Sequence, residues 1–354
     1  MNMIPPHGPY RRFQELAEQL HADTSATQRD RFESASVPGL CEIERHADIT
    51  KIIDAHISRE EKAARLLRRA REAMSFTDYR TIWQSLRAME DVYAKAEGDI
   101  TLPHQRERDY ICVMAVGLIF GKFHEARELT KEWPDKIHTT KLDDAFASLI
   151  DGVMHYRTQR NHRYREGHGE FQDAARKLQD ALDGFDASKT TIAPYHRAQA
   201  HYYLSKCLRR IGEWHDAETH LNQSLDILKG VAGCEFEYIC MTKDNADFRR
   251  HENNLPGADL ILNDVYKNQL KAISEGKGGE LRLVSTALKR ASLALSLDRP
   301  RKAQDYAHTA LSHLVSHFGG QVAHHNFYLA VAQIKSAAHE MMEPPELGPW
   351  VNEP

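Results

Sequence analysis

The chain has 354 residues, 41% of them hydrophobic and 28% charged, with a formal net charge of −4. That composition excludes wholesale disorder, and the charge gives no global attraction to nucleic acid or anionic lipid. Its longest apolar run, Ile111–Phe120 (ICVMAVGLIF), falls far short of the ~20 residues a membrane span needs.

The first residues, MNMIPPHGPYRR, lack an apolar signal core. Cys41, Cys112, Cys207, Cys234 and Cys240 are scattered and odd in number, which argues against a disulfide framework. The expected location is the cytoplasm.

Residues 1–57 carry PPHGP and the polar stretch TSATQRDRFESAS, and are expected to be partly irregular with one short helix at Tyr10–His21. From about Ile49 to Met342 nearly everything reads with helical spacing, strand-like alternation is hard to find, and 58–342 is the expected helical array. The stretches KAARLLRRAREAM and YRTIWQSLRAMEDVYAKA form a degenerate first hairpin.

Next comes Gly121-x-Phe123-x-x-Ala126, then Leu142, Phe146, Leu149, Val153 and Tyr156, whose steps of three and four share one helix face. A related pattern follows as Gly169-x-Phe171, then Ala174, Leu178, Ala181 and Leu182, and a link is expected over Gly184–Pro194 (GFDASKTTIAP). The best-formed unit is LSKCLRRIGEWHDAETHLNQSL, with Gly212-x-Trp214, Ala217, Leu221 and Ser224. Downstream, Leu255, Ala258, Leu262 and Val265 repeat the frame without the glycine, and Ala303, Ala307, Ala310 and Leu311 give a weaker copy.

Gly276–Gly279 (GKGG) reads as a flexible link, Gln321–Met342 as a capping helix, and 343–354 as a Pro-rich tail whose Trp350 is either disordered or docked as a strap.

Each recurring residue has a physical task. Small residues let two antiparallel helices approach, bulky ones fill the groove between them, and the glycine permits the tight turn. On these residues the chain resembles the tetratricopeptide repeat family over roughly 110–316. The resemblance implies an all-α fold, a right-handed α-solenoid of antiparallel helical hairpins. The equivalent alanines Ala126, Ala174, Ala217, Ala258 and Ala303 are 48, 43, 41 and 45 residues apart, longer than the ~34 of the commonest tetratricopeptide unit. The extra residues are expected in longer helices and links, a variant that the resemblance associates with bacterial regulators and adaptors.

Three dibasic pairs, Arg209–Arg210, Arg249–Arg250 and Lys289–Arg290, recur at intervals of 40 near the ends of expected first helices. In solenoids of this family those helices line the concave surface. Stacked pairs would make a basic groove there, extended by Lys206 and Lys243 and walled by Tyr202. Arginine's planar fork suits carboxylates and phosphates. The competing reading is ordinary solvated surface.

A second basic stretch, HYRTQRNHRYREGHGE at 155–170, offers Tyr156 and Tyr164 for stacking but has no nucleic-acid module around it, so nucleic acid is disfavoured as a partner. Among the 21 histidines, His313 and His317 share a helix face, with His324 and His325 soon after, whereas His215 and His220 do not share a face well. No carboxylate lies between His313 and His317 to serve as a base, and no glycine-rich phosphate loop or nucleophile elbow occurs.

The expectation is therefore no catalytic residue, no metal and no cofactor. The chain is read as a non-enzymatic scaffold or adaptor that binds another protein or peptide, an acidic one if the basic pairs face inward, with a homodimer left open. The alternative is a peptide- or ligand-sensing regulator that switches a partner. A histidine-rich helical hydrolase ranks third.

Overall fold

The computed structural model describes residues 8–29, 48–76, 79–95, 98–100, 102–131, 141–161, 168–187, 194–275, 279–318 and 326–342. Those residues are helical with short turns and contain no strand. The expected tail at 343–354, the residues 162–167 of the second basic stretch, and His324 and His325 lie outside them.

Two compact units divide the chain, Met1–Tyr238 and Ile239–Pro354. In the first, α1 (Pro9–Arg29) and α2 (residues 48–54) precede α3 (Arg59–Phe76), α4 (Tyr79–Lys95), α5 (Leu102–Leu118) and α6 (Phe123–Lys131). There follow α7 (Lys141–Asn161), α8 (His168–Ala187), α9 (Pro194–Ile211) and α10 (Trp214–Lys229), while α11 (Glu235–Thr242) runs across the division. The second unit holds α12 (Asn245–His251), α13 (Leu255–Ser274), α14 (Glu280–Ser296), α15 (Pro300–Phe318) and α16 (Asn326–Met342).

In the first unit α3 packs on α4, α5 on α6, α7 on α8 and α9 on α10. The alternate helices α3, α5, α7 and α9 also touch in succession, so first helices of adjacent hairpins stand side by side. In the second unit α12, α13, α14, α15 and α16 pack in chain order, and α14 also meets α16. This is the all-α, hairpin-upon-hairpin packing of an α-solenoid.

The repeated frame has a common backbone cause. Gly121, Gly212, Asn253 and Asp298 all have positive φ (70°, 92°, 60° and 54°). Each stands two residues before a helix start, at Phe123, Trp214, Leu255 and Pro300. Three of these turns close with the same bond: Glu213 N–H donates to Leu208 O at 3.0 Å, Asn254 to Arg249 at 2.8 Å, and Arg299 to Ala294 at 2.8 Å. That is the six-to-one bond of a Schellman helix ending, with a left-handed residue just before the donor. Asn and Asp tolerate that conformation better than other non-glycine residues, which is why the frame survives without glycine.

Three residues after each of those helix starts comes an alanine, and Ala126, Ala217, Ala258 and Ala303 are all 0% exposed. Ala174 is likewise fully buried, but Gly169 lies inside the first turn of α8 and makes no left-handed turn. Ser224 donates to Ala198 O at 2.7 Å, so the small polar residue ties α10 to α9 as well as permitting their approach.

Two further expectations change. The N-terminal helix is longer than Tyr10–His21, and its Tyr10, Phe13, Leu16 and Ala17 are buried as it packs on α4 and α5. The expected link at 184–194 begins too early, because α8 continues to Ala187. A Cβ on Gly184 would lie 2.7 Å from Ala145 Cβ and 3.3 Å from Lys141 O, so the glycine is there for close approach of α8 to α7.

Candidate functional site

The face of α9 carrying Tyr195, Gln199, Tyr202 and Lys206 follows helical steps of four, three and four, which align these side chains along one stripe. Its two ends differ in charge. At the first end Tyr195 Oη donates to Glu237 Oε2 at 3.2 Å, and Gln199 Nε2 donates to Glu237 Oε1 at 2.6 Å. The Arg71 guanidinium lies 5.4 Å from the Tyr195 ring and pairs with Glu107 at 3.0 Å. Burial raises the Glu107 carboxyl above its ordinary value, and Arg71 only partly offsets this. This end is internally neutralised.

The other end is cationic and aromatic. Tyr203 and Tyr202 stand with ring centroids 5.4 Å apart, and Tyr156 of α7 is 5.9 Å from Tyr203. Arg157, beside Tyr156 on α7, donates from Nη2 to Tyr203 Oη at 3.1 Å, with its guanidinium carbon 5.7 Å from that ring centre. The Lys206 ammonium sits 4.4 Å from the Tyr202 ring centre, a cation–π contact. Arg157 Nε is buried without a hydrogen-bond partner. Among the described residues no carboxylate faces Arg157, whose electrostatic neighbours are Tyr203, Tyr156 and Tyr202. A half-buried guanidinium, as this one is, commonly gains a paired acid. Here its neighbours are phenols, and the fork keeps hydrogen-bonding capacity for a planar anion.

The expected site residues fall in both units. Tyr202, Lys206, Arg209 and Arg210 belong to the first, where Arg209 and Arg210 occupy the last turn of α9 and Arg210 is exposed. Lys243, Arg249, Arg250, Lys289 and Arg290 belong to the second. Arg249 and Arg250 end the short α12, and Arg249 pairs with Glu252 at 2.6 Å.

Lys289 and Arg290 lie in the middle of α14, not at a helix end, so the interval of 40 does not translate into a common position. Lys289 Nζ bridges Asp244 Oδ1 at 2.8 Å and Asp247 Oδ2 at 2.7 Å. Arg290 is 8% exposed, lies 5.0 Å and 4.2 Å from the Tyr266 and Tyr306 ring centres, and donates to Tyr306 Oη at 2.6 Å. Lys243 is buried, donates to Ser285 Oγ at 3.1 Å, and has its amine pushed down to about 8 by burial, with Asp244 opposing that shift. These three side chains direct their charge inward.

Arg157 and Tyr203 are the members that the periodic pairs do not mark. Arg157 falls inside the second basic stretch, and Tyr203 adjoins Tyr202. The usable signal is the helical phase that sets Tyr156 and Arg157 of α7 against Tyr203 of α9.

No protein-family profile matches the chain, and no curated protein is similar to it by sequence. Among solved structures, the crystal structure of a Rap protein complexed with competence and sporulation factor is similar at 14% identity over 94% of this chain and 98% of that chain, with a TM-score of 0.33. No described helix is long and apolar enough to cross a membrane.

Proposed function

We propose that this chain is a non-catalytic binding module that holds a peptide or protein segment along α9, anchored by an acidic group at Arg157. The observation that carries this reading is the Arg157 guanidinium set among Tyr156, Tyr202 and Tyr203, with no carboxylate facing it among the described residues. An incoming carboxylate would accept charge-assisted hydrogen bonds from the unused guanidinium donors. Lys206 supports it at longer range, and the tyrosine rings supply rigid contact area with little side-chain entropy to lose. The remaining affinity would be summed over neighbouring hairpins, as suits an array of stacked helices.

A pool of short acidic peptides and a matched pool with Asn and Gln in place of Asp and Glu test this directly. Equilibrium capture on the immobilised full chain should enrich the acidic pool, and the enrichment should shrink as salt is raised. Equal retention of the two pools removes the acidic-anchor reading.

A further inference from the structure

On the side of α9 away from the Tyr195–Lys206 stripe, α8 and α10 border a cleft of about 300 Å³. Leu204 follows Tyr202 by two residues, which turns it about 200° round the helix. With Leu208 and Ala175 it makes the apolar floor. Gln179 of α8 and Asp216, Thr219 and His220 of α10 stand on the rim. The exposed charge of the two bordering helices is mainly acidic: Asp173, Asp180, Asp183 and Asp186 on α8, and Asp216 and Asp226 on α10.

We propose that this cleft docks a basic segment of a partner protein. One large apolar side chain, the size of Leu or Phe, enters between α8 and α10, and flanking Lys or Arg side chains meet Asp180, Asp183 and Asp216. Burial of the apolar anchor supplies the affinity. The exposed carboxylates select the sign of the partner's charge and speed its encounter.

The basic occupant follows from the charge that the surroundings leave unmatched. Arg176, which also lines the cleft, pairs with Asp173 at 3.2 Å, and Lys229 pairs with Asp226 at 2.8 Å. Lys177 is half-buried and turned to Asp151 of α7, and Asp186 is met by Arg197 at 3.0 Å. Asp180, Asp183 and Asp216 pair with no Lys or Arg among the described residues. Gln179 Nε2 donates to Asp183 Oδ1 at 2.9 Å, which holds that carboxylate beside the rim. Asp180 and Asp183 are three residues apart on one helix, a like-charge spacing that costs stability until a cation meets it. His220 adds no positive charge: it meets His201 of α9 Nδ1 to Nδ1 at 2.9 Å, and burial lowers its imidazole against the opposing influence of Asp216 and Gln223. This inference is independent of the peptide-binding reading, since the two ligands differ in charge and lie on opposite faces of α9.

The test uses the immobilised full chain and three pools of short synthetic peptides. The first carries one Leu or Phe flanked by Lys and Arg, the second has Ala in place of the Leu or Phe, and the third has Gln in place of the Lys and Arg. The first pool should be retained at least about tenfold better than either other, and less so as salt is raised. Thr219→Trp, which plugs the cleft from its rim, and Asp180→Lys combined with Asp183→Lys should each cut that retention at least about tenfold. Asp264→Lys, an exposed acid on α13, should leave it unchanged. All four positions are exposed, so the variants keep the fold, and the comparison among the pools needs no variant at all. Equal retention of the first pool and either other, its persistence in Thr219→Trp, or an equal loss in Asp264→Lys would overturn the proposal. None of these results bears on the capture of acidic peptides at Arg157.

Discussion

His196 is fully buried, and neither of its ring nitrogens has a hydrogen-bond partner. Aromatic rings surround it: Tyr110 at 4.5 Å, Phe146 at 4.7 Å, Tyr195 at 5.3 Å and Phe185 at 6.3 Å between centroids. Burial first, and then the Arg71 charge, hold the imidazole well below its ordinary 6.5. In the unfolded chain this histidine takes up a proton near that ordinary value, whereas in the folded chain it does not. The stabilising effect is thus complete above the unfolded value and is lost as pH falls below it, by at most about 1.4 kcal/mol per pH unit for one proton. His196→Phe should flatten the fall in urea-unfolding stability between neutral and mildly acidic pH by about one proton. An unchanged pH slope would contradict this account. Nothing in the local sequence PYHR separates this histidine from a surface one. Its environment arises only when α5, α7, α8 and α9 meet, so the feature was not legible beforehand.

At the scale of elements, much more could be read in advance. The alanine three residues into α6, α10, α13 and α15 must be small because the helix axis passes close to its partner there, and that requirement leaves a mark in sequence. The left-handed residue before each helix was legible only where it is glycine. Asn253 and Asp298 perform the same backbone task with commoner residues, and Gly169 carries the expected letter without the conformation. Glycines inside helices were not read as packing residues for the opposite reason, since nothing in an isolated helix calls for them. A Cβ on Gly152 would come within 2.7 Å of Leu178 Cγ and 3.3 Å of Ala174 O, and Gly184 is equally confined by Ala145 and Lys141. Gly184→Leu should therefore destabilise the chain by about 1–3 kcal/mol through overpacking, although leucine is the better helix former. Chemical denaturation reads this out, and a neutral or stabilising result would mean that α7 and α8 can separate freely at that point.

Over the whole molecule, charge is nearly balanced, and what distinguishes the candidate site is local. The dibasic pairs looked equivalent because they recur at a fixed interval, but a fixed interval cannot register the differing helix lengths between them. Lys289 and Arg290 fall mid-helix and turn inward, whereas Arg209 and Arg210 end α9. The division into two units falls within α11, whose sequence EFEYICMT contains neither proline nor glycine to announce it. Tyr202 and Lys206 were named from the sequence as wall and extension of a basic groove, and the structure sets the Lys206 ammonium against the Tyr202 ring. Arg157 required the packing of α7 on α9 to show that it meets tyrosines. The account stands most directly on that one side chain. Titration of an acidic peptide from the enriched pool into the intact chain and into Arg157→Gln, with helicity matched by circular dichroism, measures its contribution. The expected result is a loss of about 10–100-fold in affinity, the equivalent of about 1.5–3 kcal/mol for a charge-assisted hydrogen bond, with a weaker salt dependence in the variant. Equal affinity and equal salt dependence for the two proteins would contradict an acidic ligand held at Arg157.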